Sequence, residues 1–466
     1  MSITRRSFLK GSAATAAVSM VGTSALDALS APNATLAKGP GNKWEGRVVI
    51  NYNKEATSGI TVNETIVKKM VNDAILLLTG EATVGAAWKS VFPSSLTASS
   101  KVAIKTNILN AGNPCPHAFT VAAICEGLQQ MDFNGTKFSA ANITVYDMNN
   151  SNSMDTAGYT AARLPNIARV KDTAAVHGDG ALNNRSYAKT LKNSDFLINV
   201  FSPRGHSIGS SFSLGFKSHY GTYSNPGGMH GSDAPDYLRD INCTGPVFNK
   251  TVLSMCSGIF GMLESKGPTG SIGNYSTYAQ KMDPSSTNTN PTTIIMSTDP
   301  VSCEMQAIKM MRMNNGNSYA VANLPTYLRA SGGVTGALSQ TYNIGTIDET
   351  KMDIRTIING SDVTPVRQIR ESMQNGAEIS ARSIKTQNIC FIHYTVPLSF
   401  VSQPAKITIL GLDGKVVREF KQTVQGAKNH FSWDQCDAGN SKVAAGAYLV
   451  SFKSGSLKMS TRVTIS

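Results

Sequence analysis

Between Arg204 and His219 the chain places two cations and two imidazoles, Arg204, His206, Lys217 and His219, within sixteen residues rich in Gly and Ser. Guanidinium and ammonium groups supply charge-assisted hydrogen bonds, and imidazoles supply donors or metal ligands, so the set suits an anionic or metal-bound ligand. Upstream, Lys105 and Asn107 close the run Val102-Ala103-Ile104-Lys105-Thr106-Asn107. A lysine near the end of a buried strand is costly without an anion, so it either snorkels to water or binds a ligand. Asn107 either orients that ligand or caps the turn. Lys105, Asn107, Arg204, His206 and Lys217 are therefore the candidate ligand-binding residues. Cys115, His117 and His230 could join His206 around a metal, although no HxH or HxxxH spacing supports this and distant loops would have to converge. Asp147, at another strand end, is a weaker carboxylate candidate, and Asp299 has a sufficient role as a helix cap. GxGxxG, P-loop and nucleophile-elbow signatures are absent, so no catalytic residue is assigned. A solvated basic loop would have the same composition as 204–219. The elements around it carry the distinction.

Phe196 to Phe201 reads as a buried strand that Ser202-Pro203 stops. Further strands are expected at 47–50, 102–107, 143–147, 252–255 and 293–297, and helices at 61–79, 118–131 and 301–313. Asp299 and Pro300 supply the N-cap and first turn of the last helix. This alternation predicts an α/β domain whose mainly parallel sheet is covered by helices on both faces. Parallel strands end at one edge, so the loops carrying Lys105, His206 and Lys217 can meet there. The α/β domain is placed at 44–345 and a linker at 346–388, where periodicity fades. A small all-β immunoglobulin-like sandwich follows at 389–466, with short alternating strands and an Asp413-Gly414 hairpin turn.

With 466 residues, two or three domains are expected. The formal charge is +13, and residues 1–37 hold Arg5, Arg6 and Lys10 against Asp27, which leaves about +11 on the mature chain. That balance favours anionic ligands or acidic envelope polymers. Nucleic-acid binding is excluded, because no basic run, zinc finger or aromatic RNA-binding motif accompanies the charge. Seven cysteines lie at least ten residues apart, so no iron–sulfur cluster is expected, and their odd number argues against a fully paired disulfide framework. Residues 1–37 read as a targeting segment, with Thr4-Arg5-Arg6-Ser7-Phe8-Leu9-Lys10 ahead of a short, weakly apolar run. No later stretch is apolar enough for a membrane helix, and the mature chain is expected to have no transmembrane segment.

Three resemblances add to this reading. The paired arginines resemble a twin-arginine signal, which implies the twin-arginine export machinery and a periplasmic or extracellular destination. Residues 46 to about 340 resemble the family catalogued as domain of unknown function 362, through Val102-Ala103-Ile104-Lys105-Thr106-Asn107, Pro203-Arg204-Gly205-His206, Gly215-Phe216-Lys217, Gly267-Pro268-Thr269-Gly270 and Asp299-Pro300-Val301. Ser218, Arg204 and Cys256 depart from that family's usual Asn, Lys and Asp, and the ferredoxin-type cysteines of many relatives are missing. The resemblance implies a fold and no established reaction. Leu412-Asp413-Gly414-Lys415-Val416-Val417, Trp433-Asp434 and Val443 to Tyr448 resemble the FlgD-like immunoglobulin-type domain, which implies a spacer, attachment or sorting module. Two functions are carried forward. One is a domain that binds or processes a small carboxylate or phosphate ligand; the other is a non-catalytic protein that binds a cell-envelope component and is anchored by its sandwich. Replacing Arg5 and Arg6 by lysines is expected to hold the precursor in the cytoplasm, as fractionation and immunoblotting would read. Undiminished periplasmic accumulation would show a general secretory route.

Overall fold

The alternating apolar runs pair into one mixed sheet. The computed structural model describes residues 39–364 apart from 42, 110–113, 149–151, 179–181, 183–184, 207–210 and 267–270, and residues 378–465 apart from 385–387, 397–399, 412–414 and 456. The targeting segment, the Gly267-Pro268-Thr269-Gly270 motif and the Asp413-Gly414 turn lie outside the described residues. Two compact units divide the chain, Met1–Val363 and Thr364–Ser466.

The first unit's sheet consists of β1 (Arg47–Tyr52), β2 (Val102–Lys105), β3 (Ile143–Asp147), β4 (Ala168–Lys171), β5 (Phe196–Phe201), β6 (Thr251–Gly258), β7 (Thr293–Ser297), β8 (Asp353–Ile358) and β9 (Ser361–Asp362). Their order across the sheet is β9-β8-β1-β7-β6-β5-β2-β3-β4. Five of the eight pairings are parallel, which gives the mainly parallel α/β sheet expected. β7 runs antiparallel to both β1 and β6. The stretch 346–388, expected as a linker, differs: it carries β8, β9 and the second unit's strand Glu378–Ile384. Only the C-terminal half of β8 is fully buried, so its alternation is too weak to read from the pattern.

Successive strand residues face opposite sides of a sheet, and here each side has its own core. Val102, Ile104, Ile198 and Val200 pack with side chains of α1 (Glu64–Thr79), α2 (Val84–Ser90) and α3 (Ala118–Gln129). Ala103, Leu197 and Phe201 pack on the other side with α4 (Gly215–Ser218), α5 (Ala234–Cys243), α6 (Pro300–Asn315) and α7 (Thr326–Ser331). Helices thus cover both faces. The Asp299 cap is the one the sequence implies, and the helix expected from 61 starts at Glu64 with Asn63 as its cap. Asn63 Oδ1 accepts from Ile66 N at 3.2 Å, and Asp299 Oδ1 accepts from Ser302 N at 2.9 Å. Asp299 Oδ2 also accepts from Gly46 N and Thr346 N, at 3.1 and 3.0 Å, so its buried carboxylate is spent on backbone.

The second unit has a three-stranded sheet (Glu378–Ile384, Ile389–Thr395, Lys428–Trp433) and a four-stranded one (Pro404–Gly411, Val416–Thr423, Gly446–Ser454, Leu457–Ile465). Ile392 and Tyr394 of the first share a core with Ile407, Ile409, Val450 and Phe452 of the second, as inward-facing residues of a β-sandwich do. Five of the seven cysteines are buried, and Cys115 and Cys436 are half-buried.

The short helix α4 has polar anchors on three sides. Asn199 Nδ2 donates to Gly215 O at 2.9 Å, Asn242 Nδ2 donates to Phe216 O at 3.0 Å, and Phe216 N donates to Glu304 Oε2 at 3.2 Å. Tyr327 Oη donates to Glu304 Oε1 at 2.8 Å. Even so, burial lifts the Glu304 carboxyl to about 7 against its ordinary 4.5. Between those values the folded chain holds a proton that the unfolded chain has released. The carboxyl's contribution to stability is therefore present below pH 4.5 and is lost as pH rises towards 7. Glu304→Gln, which retains an acceptor for Phe216 N–H, should flatten this part of the stability profile. Urea unfolding at pH 5 and pH 7.5 would show it, and parallel profiles for the two proteins would contradict the assignment.

Candidate functional site

The C-terminal ends of β2, β3 and β5 lie side by side, with Lys105 opposite both Asn199 and Tyr146. Lys105 and Asp147, the last residues of β2 and β3, form an ion pair of 2.9 Å in which both side chains are buried. Asp147 Oδ2 accepts from Ile108 N at 2.8 Å, while Oδ1 receives no hydrogen bond in addition to the ion pair. Lys105 Nζ also donates to Thr106 O. Burial lowers the Lys105 pKa, and Asp147 opposes that change. Gly221 closes over the pair: a Cβ there would collide with Asp147 Oδ1 and come within 3.1 Å of Lys105 Nζ. The side-chain-free position is a requirement of close approach.

Arg204, three residues past β5, is 2% exposed. Its Nε and Nη1 have no hydrogen-bond partner among the described residues. The loop that carries it is pinned at both sides, with Met262 N donating to Pro203 O at 2.9 Å and Ser213 N to Arg204 O at 2.8 Å. Lys217, on α4, is 5% exposed, and no carboxylate lies within ion-pair distance among the described residues. Its ammonium sits 5.4 Å from the centroid of the Tyr220 ring. Burial, and then the Arg204 charge, bring Lys217 down to about 8. The Arg204 charge also acts on Lys105, so one guanidinium links the two lysines electrostatically.

Imidazoles border this cluster. His206 and His230 stack with centroids 5.3 Å apart, and the Tyr220 ring meets His230 edge-on at 5.1 Å. The Lys217 charge reaches His230, whose pKa is lowered first by burial and then by that charge. His219 is buried beside Lys105, which together with burial keeps it neutral, well below the usual histidine value. Its Nδ1 meets Thr222 Oγ1 at 3.2 Å. The arrangement concentrates three cations against one carboxylate at a parallel sheet edge, where charge-assisted donors suit an anion.

Residues 102–309, a span that includes every residue of this cluster, match the family described as Domain of unknown function (DUF362). The chain carries a DUF362 domain. Residues 2–22 match the TAT (twin-arginine translocation) pathway signal sequence, which directs export across the cytoplasmic membrane to the periplasm or beyond. No helix among the described residues is long and apolar enough to cross a membrane. No functionally curated protein matches the chain. Among solved structures, FlgD from P. aeruginosa is 18% identical, with 20% of this chain and 78% of that chain covered and a TM-score of 0.16. FlgD from Xanthomonas campestris is 16% identical over 19% of this chain and 63% of that one, with a TM-score of 0.15. Dimeric latent PorU from Porphyromonas gingivalis is 11% identical over 19% and 9%, with a TM-score of 0.17.

Within the DUF362 domain, Lys105, Arg204 and Lys217 form one electrostatic cluster, and His206 adjoins it through His230. Asn107 acts locally, since its Oδ1 accepts from Leu109 N at 3.2 Å and caps the turn. The expected metal set does not assemble. Among the described residues no three His, Cys, Asp or Glu side chains could hold a metal ion. His117 is the N-cap of α3, with Nδ1 accepting from Phe119 N at 3.3 Å, and burial brings it down to about 4. Cys115 stands near Arg204, and burial pushes its thiol up to about 11. Residues outside the candidate set complete the site. Asp147 and His219 stand out in the sequence by residue type, whereas Gly221 and Tyr220 carry no charge pattern by which a sequence could reveal them.

Removing one partner of the Lys105–Asp147 pair leaves an uncompensated buried group, so Asp147→Ala is expected to cost ~3–5 kcal/mol in urea unfolding. The double change Lys105→Met with Asp147→Leu should recover most of that loss, because a packed apolar pair replaces a desolvated one. A double variant as unstable as the sum of its singles would refute the pairing.

Proposed function

We propose that the DUF362 domain binds or processes a small anionic ligand, a carboxylate or a phosphate, at the loops after β2, β3 and β5. The observation that carries this reading is Arg204, a guanidinium 2% exposed with two N–H groups unpaired among the described residues. A buried charged donor without an acceptor is strongly unfavourable. An anion seated against Nε and Nη1 would satisfy it. Lys217 supports the same reading, since a buried ammonium close to a guanidinium is destabilising until a negative charge joins them. Lys105 is already matched by Asp147 and serves to set the position of the sheet edge. A non-catalytic envelope protein would use the same groups to hold an acidic polymer end, and would turn over nothing.

Calorimetric titration of the mature protein with inorganic phosphate and with acetate tests the reading. One lost charge-assisted hydrogen bond is worth roughly 1.5–3 kcal/mol, so Lys217→Met and Arg204→Met should each weaken binding by about ten- to a hundredfold. The ligand-free Lys217→Met protein should melt no lower than wild type, because folding lowers the Lys217 pKa and the charge opposes burial. Affinity should also fall above pH 8, where free Lys217 loses its proton, by about tenfold per pH unit. Binding that ignores both substitutions and the pH would place the anion elsewhere.

A further inference from the structure

Among the described residues, the charges around Arg204 do not cancel. Lys105 is balanced by Asp147 at 2.9 Å. Arg204 and Lys217 are left, both more than nine-tenths buried and both without a carboxylate partner among the described residues. The acidic groups on the elements packed around α4 are committed to other partners. Glu304 on α6 faces the backbone of Phe216 and the hydroxyl of Tyr327. Asp236 and Asp240 on α5 pair with Arg239 at 2.6 and 2.7 Å. Exposed Asp233 is felt by Tyr220 and by neither cation. His219 and His230 are held towards their neutral forms by burial, and the Cys115 thiol is protonated. Segments 110–113, 149–151, 207–210 and 267–270, which follow strands β2, β3, β5 and β6 in the chain, hold no charged residue.

Resting on the anion-binding reading above, we infer that the occupant carries two negative charges in one small group, as a phosphate monoester or a compact dicarboxylate does, and that Arg204 and Lys217 each match one of them. A monoanion would leave one buried cation uncompensated, an unfavourable condition in a low-dielectric site. A dianion brings the cluster to neutrality.

The test is calorimetric titration at pH 7 and constant ionic strength with two matched pairs of probes. Sulfate against methanesulfonate compares charge at a tetrahedral centre, and malonate against acetate compares it among carboxylates. The dianion of at least one pair should bind about tenfold or more tighter than its monoanion. The pair that shows the larger preference distinguishes a tetrahedral from a dicarboxylate occupant. Lys217→Met should abolish the preference while leaving measurable monoanion binding at Arg204, and Arg204→Met provides the reciprocal check, with near-ultraviolet circular dichroism confirming the fold of each. Equal affinities for mono- and dianions in both pairs would overturn the charge match while leaving the anion site intact. A preference that survives both substitutions would overturn it as well. Absence of binding by all four probes, with no effect of either substitution, would remove the anion reading altogether.

Discussion

The Lys105–Asp147 ion pair is the contact on which the rest of this edge depends. It joins the last residues of two adjacent parallel strands, and both side chains are out of water. Burying two charges is repaid only where geometry and further hydrogen bonds satisfy them. The Ile108 amide supplies one such bond, and the Thr106 carbonyl another. Gly221 lies over the pair because no larger residue fits, and Met148 N donates to its carbonyl at 2.9 Å. The chain from Lys217 to Gly221 is therefore positioned by the pair itself. Lys217 consequently belongs to a fixed framework, although its own ammonium has no anionic partner among the described residues.

Much of this was legible in the sequence, for identifiable reasons. Continuous apolar runs marked β2 and β5 as buried strands, and the rule that parallel strands end at one edge led to the expectation that the loops of Lys105, His206 and Lys217 meet there. Their charge made them visible against an apolar background. Asn107 and His117 were visible for the same reason but serve as a turn cap and a helix cap, because side-chain acceptors next to a free backbone N–H are taken up locally. The metal set failed on convergence. Residue types suited to a metal say nothing about whether their side chains converge, and among the described residues no three do so. β8 was missed because its first half is only partly covered, and a strand with one weakly buried end resembles a linker.

Gly215 and Gly221 show a second limit of the pattern. Each is glycine because another group approaches its backbone: the Phe201 ring and Glu304 at Gly215, Asp147 and Lys105 at Gly221. Such contacts are long-range in sequence and leave no periodic signal. The buried polar groups Asn199, Asn242 and Glu304 are similar, since their role is to hold the backbone of α4. Together they convert a four-residue helical turn, too short to be stable alone, into a rigid platform.

The placement of β1 bears on how the molecule is made. This strand lies inside the sheet between β7 and β8, and Arg47 donates from Nε to Asp353 at 2.8 Å across 306 residues of chain. Neither neighbour exists until nearly all of the first unit has been synthesised. A nascent chain that has emerged only as far as β6 must keep β1 waiting with both edges unpaired, the situation that makes high-contact-order sheets slow to form and prone to aggregate. A twin-arginine precursor folds before it crosses the membrane, so this late closure falls in the cytoplasm. The first unit's sheet is thus complete only once residues 353–358 have been synthesised.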